Sequence, residues 1–416
     1  ISIVQWALIN SFFSVGGLLG SYGCVVPLAR LGRKTTLLLA NIFVFASSAL
    51  MFVGQRWWVL LMGRVSIGVV AGVAQMAAGS YMTEISPVGV RGAVGVCSQA
   101  GIVLGIAFAN FLTTPVFHTL GSAEHWRYLF LVPSAFSIMQ LIVLPWCPDS
   151  PSYLIRKKGP AATKEALSLL HGAVSANTHM DTLTKQVEDS AATAGEDMTI
   201  AQLLASDKLR KQVIIGIVLK MGVQFSGIDA IFYYSTMMFR NAGVANPGLA
   251  TTLLSMVNLL MTFLAMGLMD IAGRRALIMT TWVGMCTGFL CIYVAQTLGE
   301  VHGILPELMS NLQVVAMVLI IVAFAVGVGN VEGFFISEIM PVYAKDTLLS
   351  IGQTLNWVSN LTVSTCFPIV FAVLGRYTYL IFVSLTFCFG YFTYWRMPET
   401  KGKTLQQITD EIESKY

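Results

Sequence analysis

Gln99, Asn110, Gln224, Asn258, Asn356 and Asn360 are amide side chains that stand inside largely apolar stretches. An amide both donates and accepts hydrogen bonds without carrying charge, so a set of them suits a neutral ligand covered in hydroxyl groups. For any one of them alone, a bond between helices or a clasp on the backbone is the simpler reading. Several together call for a polar cavity. Charged residues also stand in such stretches, among them Lys220, Asp229 and Glu332. An ionised carboxylate accepts strong hydrogen bonds from hydroxyls in a hydrated cavity, which makes Asp229 a candidate ligand contact rather than a proton carrier. Lys220 and Glu332 each need a partner or water, because an unpaired charge at membrane depth costs at least about 2.5–3.5 kcal/mol. Lys220 lies four residues before Gln224, on the same helical face, so a Lys220–Glu332 ion pair beside the cavity is expected; the alternative is that each faces hydrated space separately. No nucleophile with a base, metal-ligating cluster or nucleotide loop stands out, so neither an enzyme nor a metal or cofactor is expected. The seven cysteines lie in or beside apolar stretches without metal spacing and read as small buried hydrophobes.

The elements holding these residues are membrane spans. The chain is 56% apolar and 11% charged, against roughly 25% charged in soluble domains. Nearly charge-free runs long enough to cross about 30 Å of hydrocarbon fall at 4–29, 35–55, 58–83, 92–117, 128–147, 212–239, 248–269, 276–299, 308–337, 347–374 and 377–395. If the chain starts outside, all but six of its 25 Lys and Arg lie on the cytoplasmic side. The exceptions are Arg56, Arg127, Arg240 and Arg376 outside, and Arg64 and Lys220 within spans. The positive-inside rule then places the C-terminus in the cytoplasm, and the net charge of +4 is a topological signal rather than a nucleic-acid surface.

The sequence also repeats itself. Arg30-Leu-Gly-Arg-Lys34 is echoed by Asp270-Ile-Ala-Gly-Arg-Arg275, Glu84-Ile-Ser-Pro by Glu338-Ile-Met-Pro, and Pro148-Asp-Ser-Pro by Pro398-Glu-Thr-Lys, all at offsets near 250 residues. One unit used twice in a membrane chain marks a secondary transporter, with its binding site between the halves near the bilayer midplane. Two spans precede the Gly-Arg-Arg turn in the second half and one precedes Gly32 in the first, so a twelve-helix protein entered at its second helix is expected. The domains read as an N-terminal half at 1–147 (helices 2–6), a cytoplasmic helical linker at 148–211, a C-terminal half at 212–397 (helices 7–12) and a cytoplasmic tail at 398–416.

Gln224-Phe-Ser-Gly-Ile-Asp-Ala-Ile-Phe-Tyr-Tyr-Ser235, Pro148-Asp-Ser-Pro151, the two Gly-Arg turns and Pro398-Glu-Thr-Lys-Gly402 together resemble the sugar porter family of the major facilitator superfamily, specifically GLUT-type hexose transporters. The resemblance implies an all-α transmembrane fold of two pseudo-symmetric six-helix halves. It implies facilitative transport of a glucose-type hexose by alternating access, by a multi-pass protein of the plasma membrane, with the lipid bilayer as the other partner. The alternative is a proton-coupled sugar or polyol symporter of the inositol type, which adds protons as a partner. By the resemblance, Gln99, Ile102, Ile106, Gln224, Asp229, Asn258, Phe324 and Asn356 contact sugar. Tyr233 and Tyr234 form an outer gate, for which the aromatic belt at the membrane interface is the competing reading. Arg33, Lys34, Glu84, Arg91, Asp270, Arg274, Arg275 and Glu338 form a cytoplasmic charge network able to bridge the halves. The chain departs from the family at Val223, at Asp229, and in the tenth helix, where Gly327-Val-Gly-Asn-Val-Glu-Gly333 replaces three prolines and a tryptophan.

Overall fold

The computed structural model describes residues 2–86, 91–114, 120–122, 124–172, 180, 198–300 and 306–415. The described chain is helical, as the long apolar runs require, because only a helix satisfies its own backbone groups in lipid. Its helices are α1 (Ile3–Gly23), α2 (Val25–Val53), α3 (Trp57–Ile85), α4 (Arg91–Thr113), α5 (Val132–Val143), α6 (Pro151–Lys157), α7 (Pro160–His171), α8 (Ile200–Ala205), α9 (Arg210–Phe225), α10 (Ile228–Asn241), α11 (Pro247–Ala272), α12 (Arg274–Glu300), α13 (Pro306–Val326), α14 (Val328–Ile339), α15 (Val342–Leu374), α16 (Thr378–Arg396) and α17 (Leu405–Lys415). Among the described residues, nine helical stretches are long and apolar enough to cross a membrane, and Cys97–Thr113 is a shorter apolar helix. The longest of the nine, Thr347–Arg396, turns at Gly375–Tyr377 and so contains two helices. Leu19, Ile42, Val53, Ile142, Phe263, Val315 and Phe387 point outward from these helices, the apolar exterior expected of a chain solvated by lipid.

Two compact units are present. One comprises Ile1–Ser11, Gln99–Trp126 and Met198–Tyr416, the other Phe12–Ser98 and Arg127–Asp197. In the second unit α1 and α3 pack backbone to backbone. A Cβ on Gly16 would sit 2.1 Å from the Val65 carbonyl oxygen, one on Gly20 2.1 Å from that of Val69, one on Gly68 2.1 Å from that of Phe13, and one on Gly72 2.2 Å from that of Gly17. Small residues spaced by four let membrane helices approach this closely, and dispersion between the backbones then holds them.

The sequence duplication reappears in backbone geometry. Gly32 (φ 86°, ψ 173°) interrupts α2, and Gly273 (φ 81°, ψ 158°) separates α11 from α12. Positive φ favours glycine. Each is covered by the acid of its own half's Pro-acid motif: a Cβ at Gly32 would lie 2.9 Å from Asp149 Oδ2, and one at Gly273 2.7 Å from Glu399 Oε2.

Candidate functional site

The amide cluster is assembled on one face of α15. Gly352, Asn356 and Asn360 follow one another at four-residue intervals, and each faces a residue of the broken pair α9–α10. At the first position the Lys220 stem lies against Gly352, where a Cβ would meet Lys220 Cγ at 3.0 Å. At the second, Gln224 Nε2 donates to Asn356 Oδ1 at 2.7 Å. At the third, Asn360 Nδ2 donates to Asp229 Oδ2 at 2.8 Å. The break between α9 and α10 is what brings Asp229 into line. Gly227 there has φ 88°, and a Cβ would lie 2.6 Å from the Phe382 ring, so glycine serves both the turn and the close packing.

Gln224 Oε1 in this ladder, and both the Nδ2 and Oδ1 of Asn258 on α11, are buried without a hydrogen-bond partner. Asn258, on α11, is 1% exposed. Buried polar atoms are almost always paired, so these three supply one donor and two acceptors suited to ligand hydroxyls. Phe324 of α13 stands edge-on to Phe232, ring centroids 6.2 Å apart. Lys220 donates to Glu332 of α14 in the expected ion pair; both side chains are largely buried.

Gln99, Ile102 and Ile106 share one face of α4, with Ile102 exposed and Gln99 and Ile106 half-buried. Among the described residues no hydrogen bond joins Gln99 to the ladder. Asn110, further along α4, donates to Ser255 Oγ of α11 at 2.5 Å, and Thr114 and Thr252 share a hydroxyl contact beside it. The sequence placed Asn110 among the amides without a partner; the serine and threonines were hidden because hydroxyls are common in spans. Tyr234 is buried, donates to the Ser364 carbonyl at 3.0 Å and packs on Phe367, whereas Tyr233 is half-buried.

The charged motifs form two matching clusters, each inside one half. Arg33 Nη2 meets Glu84 Oε1 at 2.8 Å, and Ser150 Oγ donates to the other oxygen of Glu84. In the second half Arg274 Nη2 meets Glu338 Oε1 at 3.1 Å, and Thr400 Oγ1 donates to Glu338 Oε2 at 2.5 Å. The next cation repeats as well: Lys34 donates to the carbonyls of Pro145 and Cys147, Arg275 to that of Tyr394. These pairs tie each Gly-Arg turn to its own half. The Pro-acid motifs fold back over the turns and supply Ser150 and Thr400 as further partners of the two glutamates. The side chains of Arg91 and Asp270 lie outside the described residues.

Residues 2–411 match the family described as "Sugar (and other) transporter". The chain is 32% identical over 414 residues to facilitated glucose transporter member 3 of Canis lupus familiaris, covering 98% of this chain and 82% of that one. It is also 32% identical to facilitated glucose transporter member 2 of Gallus gallus, covering 97% and 75%. Among solved structures it resembles the inward-open xylose transporter XylE from E. coli, with a TM-score of 0.80 and 22% identity over 100% of this chain and 90% of that one. It also resembles the XylE proton:xylose symporter bound to 6-bromo-6-deoxy-D-glucose, with a TM-score of 0.75 and 23% identity over 98% and 87%.

Proposed function

Because the chain belongs to the sugar transporter family, we propose that it carries a glucose-type hexose across its membrane by facilitated, alternating-access transport. The observation that carries this reading is the ladder of neutral amides with three buried, unpartnered polar atoms, Gln224 Oε1 and the amide of Asn258. A hexose brings hydroxyls that both donate and accept, so it satisfies those atoms without a charge having to be desolvated. We assign Gln224, Asp229, Asn258 and Asn356 to hydroxyl contacts and Phe324 to apolar contact with the ring. Gln99, Ile102 and Ile106 complete the binding surface, and Tyr233 with Tyr234 serves as the outer gate. The relatives are transporters, and the multi-pass architecture is theirs; a plasma membrane location with a cytoplasmic C-terminus is part of the same proposal.

Uptake of labelled glucose into proteoliposomes, with and without an imposed pH gradient, tests the function. Equilibration that ignores the gradient supports facilitated transport, and accumulation driven by it moves the reading to a proton symporter. Asp229 gives the symporter reading its one specific support, as a buried carboxylate held by Asn360 within the ladder. Asp229→Asn keeps the acceptor oxygen and removes the charge, so transport is expected to persist in the mutant. A wild type that accumulates sugar and a mutant that only equilibrates it would make Asp229 the coupling residue.

Gln99→Ala separates a direct contact from a bystander. One lost hydrogen bond in a hydrated cavity costs roughly 0.5–1.5 kcal/mol, which is about a few-fold to tenfold in affinity. KM should rise by that factor in protein that is otherwise folded, and unchanged uptake kinetics would remove Gln99 from the site.

A further inference from the structure

The tenth-span equivalent, α13 and α14, is broken at Gly327 although no proline lies between Pro306 and Pro341. Gly327 has φ −109° and ψ −105°, which takes the chain out of the helix for one residue. A broken helix strands backbone groups that an unbroken one would pair internally, and in a membrane they must find partners. Here the partners are side chains. Thr281 of α12 accepts from the Val328 N–H at 2.9 Å and donates to the Ala323 carbonyl at 2.9 Å, so a single hydroxyl takes up the stranded N–H and ties it to the last turn before the break, where the Ala323 carbonyl also accepts from the Gly327 N–H at 3.3 Å. Asn330 Nδ2 donates back to the Ala325 carbonyl at 2.9 Å. Gly327 is seated directly on α12: a Cβ there would lie 2.0 Å from Thr281 Oγ1 and 2.2 Å from the Leu277 carbonyl oxygen.

We propose that Thr281, assisted by Asn330, is a positioning residue for the transport cycle, holding the break between α13 and α14 that lets the two pieces move separately. Rewinding is the competing state. Without a captor, the Val328 N–H returns to the carbonyl four residues back, that of Phe324, and α13 runs on into α14. That would pull Phe324 and Glu332 from their present neighbours, Phe232 and Lys220. Proline at 328 has the opposite effect: it has no N–H to return and its ring clashes with the carbonyl four residues back, so it enforces the break by itself. Position 328 is the first residue of α14, where proline is tolerated.

The inference rests on the transport reading, so its test carries two readouts. Thr281→Ala is expected to lower the maximal rate of glucose uptake roughly tenfold while KM stays within about twofold, because the step lost is movement rather than binding. Thr281→Ser keeps the hydroxyl and should run at the wild-type rate. Thr281→Ala combined with Val328→Pro, the alanine leaving room for the proline ring, should recover most of the rate. Melting temperatures of the purified proteins should fall and recover in the same order, and this second readout stands even if wild-type vesicles take up no glucose and the cargo assignment fails. Wild-type behaviour of Thr281→Ala overturns the proposal, as does a double variant no better than Thr281→Ala.

Discussion

Lys220→Met is expected to be among the most damaging single substitutions in this protein, and adding Glu332→Gln is expected to relieve it. The Lys220 side chain is 8% exposed and that of Glu332 19%. Removing one partner leaves the other charge with little water, a loss of about 3 kcal/mol, the lower end of the range for breaking a buried pair. Removing both leaves two neutral side chains of similar size, and such replacements of buried pairs are often close to neutral. The measurement is a double-mutant cycle on melting temperature and on uptake rate. Defects that simply add in the double variant would mean that the two charges act independently. Lys220 lies one turn from Gln224 and against Gly352, one turn from Asn356, so the cycle also reports on the floor of the amide ladder.

Gly68→Leu is the second large effect expected. Even the Cβ of alanine would stand 2.1 Å from the Phe13 carbonyl oxygen and 2.9 Å from the Gly16 Cα. Backbone cannot swing aside as a flexible side chain can, so α1 and α3 must separate along their contact. Overpacking of this kind costs typically 1–3 kcal/mol, and leucine adds atoms well beyond the first clash. Purified Gly68→Leu should melt several degrees lower than wild type or fail to assemble, whereas Gly101→Ala, where a Cβ meets nothing within 4 Å, should be close to neutral. Equal stability of Gly68→Leu and wild type would deny the close contact of α1 with α3.

Much of this was legible in the chain. The apolar runs had to be helices, since lipid offers backbone groups no other partner. The motif offsets of about 250 residues announced a duplication that the structure repeats down to Gly32 and Gly273 and to the paired Arg–Glu–hydroxyl clusters. Lys220 and Glu332 could be matched because ionisable groups in spans are few and each needs a partner. Family motifs pointed to Gln224, Asp229, Asn258 and Asn356 together.

Tertiary structure decided the rest, because it turns on which of several chemically equivalent neighbours comes nearest. Asn360 was one amide among many until the four-residue ladder on α15 set it against Asp229. Which hydroxyls join each Arg–Glu pair depended on where the Pro-acid motifs fold, which spacing along the chain does not state. The glycines at 16, 20, 68 and 72 carried a readable four-residue spacing, yet many glycines occur in these spans, and only contact distances single out the ones where backbones touch. Thr281 was silent in the sequence. A threonine in a helix ordinarily bonds to its own preceding turn, and nothing in its local pattern says that its hydroxyl spans a break in a helix 42 residues further along.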